Sequence, residues 1–415
     1  MKIGQCVIAI NGQIRRQRHW VCWMGIVMLG LINFSSKPCQ SAVWTDVNTW
    51  DAAWEVKYSQ WVESKFNSDF FVYGDYGEIR TDCSDAVYYS RLIFTYENKL
   101  PYAIRDPSGG SRLITNRIGK FDRLAEPNRI MAFINYIGKI TGTRTLIRDT
   151  YSVDISREWI KPGIVWFQRN IFEGKQLYKH TETVISISET GAVQLIGSTE
   201  PPMARSMLTS SSLTYLPDPT LETGFRKWIL PQNFHLPVYE QPGYSRSQYD
   251  KGHNEVEGKR DIYNWLKEVS SILRTRKETK AEVLLRFAND LNAMVDKRAG
   301  MVNEAMSLRN EVQRCLTASE YNNYSTPSRD KRIYDTLLIM MQFFVEESAN
   351  KKDPFEKLEV AFSHSPSIYL SPQFMITFMD YMKIVYQKKN SSNPNDSLEA
   401  RWGQDRSRTN CPVYD

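Results

Sequence analysis

The chain reads as an α+β domain with a small antiparallel sheet, followed by an α-helical region. Three observations carry that reading. Short strand-like runs alternate with helices and loops up to about residue 220: Val165-Trp166-Phe167, Thr183 to Ser188 and Ala192 to Gly197, the last two joined by the turn signal Glu189-Thr190-Gly191. From Asp261 onward the apolar residues recur at helical spacing. Between these parts, residues 201 to about 255 are rich in Pro, Ser, Tyr and Gly, yet carry Phe225, Trp228, Phe234 and Tyr239, which favour burial.

The first 42 residues read as a signal peptide. They hold Lys2, Arg15, Arg16, Arg18 and Lys37 and no acid, so five of the positive charges behind the net +6 belong to the leader. The basic character therefore does not point to a nucleic-acid partner. Arg15, Arg16 and Arg18 precede Val21 to Phe34, an apolar run short for a membrane span. Cys39-Gln40-Ser41 resembles a cleavage site, which places the cut near Ser41 or Ala42. The expectation is a periplasmic or secreted protein with no integral membrane span after cleavage; the alternative is an uncleaved N-terminal anchor.

The remaining elements follow in order. Residues 43–220 form the first domain. Asp85 to Glu97 is a helix, ended by Leu100-Pro101. Asp106 to Ser111 is a loop, and Ile130 to Ile140 a second helix. Lys179 to Glu182 opens a strand. Residues 221–260 form a connection that wraps the first domain, with Gly224 to Trp228 covering its surface. In the helical domain, 261–390, Leu284, Phe287, Leu291, Met294, Met301, Ala305, Leu308, Val312 and Cys315 mark one long helix, with Arg298 as the one break. Ile333 to Glu347 and Phe374 to Tyr386 are further helices. Residues 391–415 are a polar tail apart from Trp402.

Cys83 stands out within Thr81-Asp82-Cys83-Ser84-Asp85. It opens a helix, whose N-terminus favours an anion and so a thiolate nucleophile. Without the leader, three cysteines remain. In an oxidising compartment a Cys315–Cys411 bridge would leave Cys83 as the free, functional thiol; the other reading is three unpaired thiols. A nucleophile needs a base, and His180 is the best of five histidines. His19 lies in the leader, and His235, His253 and His364 lie in loop-like or helical contexts. If Glu189-Thr190-Gly191 is a three-residue turn, Ser188 faces Ala192. Counting back sets Glu182 opposite Ser198 and His180 opposite Glu200, so Ser198 or Glu200 would accept the imidazole N–H. Backbone N–H groups at the helix start would hold an oxyanion, with Tyr73 assisting. Asp82 reads as a helix cap and, with Asp85, as a substrate contact. Arg226, Trp228, Tyr244 and Arg246 are either substrate contacts or packing residues. The chain contains no Cys-x-x-Cys, His-x-x-x-His, phosphate loop, dinucleotide motif or Gly-x-Ser-x-Gly, so no metal or cofactor is expected.

A Tyr/Gly-rich loop, then Asp-Cys-Ser opening a helix, then Pro162-Gly163-Ile164-Val165-Trp166-Phe167 before a His-led strand, resembles the NlpC/P60 cysteine peptidases. These are papain-like enzymes that cut peptide bonds in bacterial peptidoglycan. The likeness covers roughly residues 65–200. It implies a papain-like fold, Cys83 as nucleophile, His180 as base, and an exported hydrolase acting on cell-wall peptides. Asp85 stands where the family usually has glycine, Thr181-Glu182 follows the histidine, and the interval from Cys83 to His180 is longer than usual. The resemblance also leaves room for an inactive papain-like module that binds the cell wall or another protein.

Overall fold

The computed structural model describes residues 42–126, 128–172, 175–255, 257–345, 355, 358–363, 365–371 and 374–414. The leader up to residue 41, and His364, lie outside the described residues. Helix α1 (Ala52–Lys65) starts where the Asp51 carboxylate accepts the Trp54 amide. Helix α2 (Cys83–Glu97) is buried along nearly its whole length, so it is central rather than amphipathic. A small hairpin follows, β1 (Ala103–Arg105) with β2 (Leu113–Thr115), and then α3 (Asn128–Ile140) and α4 (Thr143–Asp149).

The main sheet has six antiparallel strands: β3 (Thr150–Ser152), β4 (Val165–Phe172), β5 (Lys175–Ile187), β6 (Val193–Gly197), β7 (Leu208–Ser210) and β8 (Gly224–Trp228). Their spatial order is β3-β8-β4-β5-β6-β7. Alternation along the strands gives the sheet two apolar faces. Val165, Ile196 and Trp228 join the core around α1, α2 and α3. Trp166, Val184, Leu195 and Phe225 face the other way and pack with Trp265, Val269 and Leu273 of α5 (Ile262–Leu273). A short hairpin, β9 (His253–Asn254) with β10 (Lys259–Arg260), precedes α5.

The C-terminal region is built on α6 (Lys280–Val312), α7 (Ala318–Tyr324), α8 (Pro327–Val345), α9 (Glu359–Phe362), α10 (Phe378–Tyr386) and α11 (Leu398–Arg401). Phe287, Leu291, Met294, Leu337, Met340, Tyr381, Met382 and Trp402 form its core. The hairpin of β11 (Ile368–Ser371) and β12 (Phe374–Ile376) lies within it.

Several expectations change here. The stretch 224–228 does not cover the first domain's surface; it enters the sheet between β3 and β4, because Phe225 and Trp228 each fill one of the two cores. Phe374 to Tyr386 divides into β12 and α10, with Thr377 capping the helix through the Asp380 amide. Arg298, the break in the α6 pattern, is fully buried and compensated: its guanidinium donates to the Asp330 carboxylate and to the carbonyls of Ser391 and Arg401. Those carbonyls belong to the polar tail, which is packed, with Asn395, Asp396, Arg401 and Trp402 buried. Helix α6 ends at Val312, and Cys315 beyond it is disulfide-bonded to Cys411, leaving Cys83 as the free cysteine among the described residues. Among the described residues no helix is long and apolar enough to cross a membrane.

Candidate active site

Cys83 is the first residue of α2, and Asp82 is the cap. The Asp82 carboxylate accepts the amides of Ser84 (2.8 Å) and Asp85 (2.9 Å) and the Ser84 hydroxyl, while Asp85 Oδ2 accepts the Asp82 amide at 3.1 Å. This capping box consumes two of the helix-start donors expected to hold an oxyanion. It also changes the expected chemistry of the thiol. Burial, then the negative charge of Asp82, push the Cys83 thiol up to about 12, with Glu200 adding in the same direction; hydrogen bonding to Thr181 works against them. The free end of the helix would favour a thiolate, but here a carboxylate already occupies it and the sulfur is removed from water. Cys83 is thus held as a neutral thiol, 7% exposed.

Asp85, expected as a substrate contact, is not among the residues that border the cavity described below. It is buried against α3, where Gly138 leaves room: a β-carbon there would lie 2.9 Å from Asp85 Oδ1 and 1.9 Å from the Tyr89 hydroxyl. Burial, then the neighbouring Asp82 charge, raise Asp85 to about 7. Tyr73 is 72% exposed, and it is its neighbour Val72 that borders the cavity described below.

Strand β5 runs beside the start of α2. The Thr181 hydroxyl donates to the Cys83 carbonyl at 3.0 Å, so the helix start is tied to this strand beside His180. Alternation turns Thr181 toward α2 and turns His180 and Glu182 to the other face. There the His180 Nε2 lies 3.6 Å from Glu182 Oε1. Glu182 is fully buried and also accepts from Gln168 on β4 (3.2 Å) and from Arg332 on α8 (2.9 Å). Burial acts to raise the Glu182 carboxyl; the Arg332 guanidinium and His180 outweigh it and hold it down to about 2. Glu182 is therefore an ionised carboxylate facing the imidazole.

The partner expected for His180 was Ser198 or Glu200. The turn behaves as counted, the Ser188 amide donating to the Ala192 carbonyl at 2.9 Å, but an irregularity between Val184 and Ser186 shifts the register, so Thr183 pairs with Ile196 and β6 stops at Gly197. Ser198 is engaged elsewhere: its hydroxyl donates to the Thr81 carbonyl (2.8 Å) and accepts from the Thr81 hydroxyl (2.9 Å). Glu200 is exposed, and its carbonyl accepts from Arg329 at 3.1 Å. Two residues on one face of a strand are neighbours, and that rule, applied to His180 and Glu182, is the signal that finds the carboxylate from sequence. Arg332 carries no such signal.

Cys83 and His180 both line a cavity of about 1230 Å³ between the end of the sheet and the helical region. Ser198, Thr199 and Glu200 form its sheet side; residues of α6 and α8, including Lys297, Arg329 and Arg332, form the opposite side. Arg226 and Trp228 lie away from it. The Arg226 guanidinium is buried on carbonyls of Ile147, Thr150 and Glu222, and Trp228 packs edge-on against Tyr88. Among the described residues no group of three or more His, Cys, Asp or Glu side chains is arranged to hold a metal ion.

Comparison with protein-family models, with curated proteins and with solved structures finds no match.

Proposed function

We propose that the protein is an exported cysteine hydrolase of papain-like type, related to the NlpC/P60 peptidases, that cleaves amide bonds in peptidoglycan peptides. The observation that carries this reading is that a free cysteine at a helix start and a carboxylate-backed histidine both border one cavity. The Cys315–Cys411 bridge supports export, since such bridges persist in oxidising compartments.

Nε2 faces Glu182, so this reading assigns the base role to Nδ1. In this reading the Cys83 sulfur attacks the amide carbon as the thiol proton passes to His180. That transfer requires the two side chains, one from α2 and the other from the opposite face of β5, to come within reach at the end of the sheet or through one water in the cavity. The C–N bond breaks, the proton leaves with the amine, and water then hydrolyses the thioester. A neutral thiol suits a mechanism in which the proton moves during attack. The His180 Nε2–Glu182 Oε1 separation is 3.6 Å, an ion-pair distance and not a short hydrogen bond.

A second reading has its own observation. The raised Cys83 thiol, beside two carboxylates, fits a papain-like domain that has lost catalysis and binds the wall or a protein through the same cavity. Incubating wild type and Cys83→Ala with purified peptidoglycan, followed by mass analysis of the fragments, separates the two. New amine and carboxyl ends from wild type alone support the hydrolase. Identical fragment patterns with retained sedimentation on peptidoglycan favour the binding module.

A further inference from the structure

The helical region sends one side chain into the sheet beside the candidate base. Arg332, on α8, is buried and donates to Glu182 Oε1 at 2.9 Å, to Glu182 Oε2 at 3.2 Å and to the Ser210 hydroxyl on β7 at 2.7 Å. Glu182 comes from the centre of the sheet and Arg332 from 150 residues further along the chain. A buried carboxylate without a cation would take up a proton rather than stay charged. The Arg332 guanidinium is what keeps Glu182 an acceptor.

Other contacts hold α8 and α6 in this place. Arg329 donates to the Thr199 hydroxyl at 2.9 Å, Lys297 donates to the Ser206 carbonyl at 3.0 Å, and Asp290 accepts the Ser211 amide at 3.0 Å. Gly197 makes room on the sheet side: a β-carbon there would lie 2.8 Å from Glu182 Cγ.

We infer that Arg332 is a positioning residue for His180: it acts through Glu182, and the helical region is thereby an integral part of the catalytic site rather than an appended module. This rests on His180 being the base of the proposed reaction. Arg332 also borders the cavity, so direct contact with substrate is the competing role.

The test uses the full chain labelled with ¹⁵N-histidine, the His180 signal being assigned by its loss in His180→Ala. The tautomer of neutral His180 is read in wild type, Arg332→Lys, Arg332→Met, Glu182→Gln and the double variant Glu182→Gln/Arg332→Met. We expect the Nε2–H form in wild type and in Arg332→Lys, and a common altered tautomer mixture in the other three. An unchanged His180 signal in Arg332→Met overturns the inference, and so does a double variant that differs from Glu182→Gln alone. If Arg332→Met fails to fold because Glu182 is left unpaired, the double variant, which carries neither charge, decides by the same comparison with Glu182→Gln. With peptidoglycan fragments as substrate, positioning predicts a fall of about 100-fold in kcat with KM little changed and no further loss on adding Arg332→Met to Glu182→Gln. A rise in KM alone would assign Arg332 to substrate binding instead. Absence of any Cys83-dependent product would defeat the hydrolase reading, while the tautomer comparison would still decide whether Arg332 acts on His180 through Glu182.

Discussion

Two titrating side chains beside the cavity respond to pH in opposite directions. The Cys83 thiol is raised from 9.0 to about 12 by burial and by Asp82. Its contribution to stability is complete below the unfolded thiol value and is lost as pH climbs toward the folded one. Iodoacetamide should therefore alkylate folded Cys83 more slowly than the unfolded chain, with a rate still rising at pH 10; a plateau near neutral pH would reveal a thiolate–imidazolium pair and contradict the neutral thiol. Glu182 is held down from 4.5 to about 2. Its stabilisation is present above the unfolded value and disappears as pH falls through the folded one, an effect of the order of 3 kcal/mol. Urea melts between pH 5 and pH 2 should show a steeper loss for wild type than for Glu182→Gln, and equal slopes would mean that Glu182 is not ionised in the fold.

Strand β5 shows which parts of the site were open to sequence reasoning. His180 on a strand, Cys83 at a helix start and the Glu189-Thr190-Gly191 turn follow from local patterns, and all three are found. The partner of His180 was sought across the ladder, where the irregularity near Ile185 moves every later pair, and nothing in Val184-Ile185-Ser186 announces it. The same strand held the answer, since alternation places Glu182 beside His180. The thiolate expected at the helix start is disfavoured for a different reason: Asp82 both caps the helix and, after burial, raises the thiol most. The fit of β6 against β5 is testable. Replacing Gly197 by alanine should displace Glu182 and cost about 1–3 kcal/mol in urea unfolding. A neutral effect would show that the Glu182 side chain moves aside freely.

At the scale of the molecule, the Cys315–Cys411 bridge closes the last part of the helical region over a sequence separation of 96 residues. Replacing both cysteines by serine should lower stability by about 2–4 kcal/mol without touching the Cys83 chemistry, as a thermal melt with and without reductant would show. The division into a strand-rich part and a helical part was legible from the change in periodicity. The placement of Arg298 and Arg332 was not, because each finds its carboxylate far away in sequence. Strand β8 carries a further consequence. It is the last of the six strands to be synthesised, yet it joins β3 to β4 in the interior of the sheet. While the chain grows, β3 has no place beside the other strands until Trp228 has emerged, and both β3 and β4 carry an open edge. A fragment ending at residue 220 should therefore aggregate, whereas one extended through α5 can close the sheet and fill its second core. The order of synthesis thus makes the interior of the sheet, not its rim, the last part to seal.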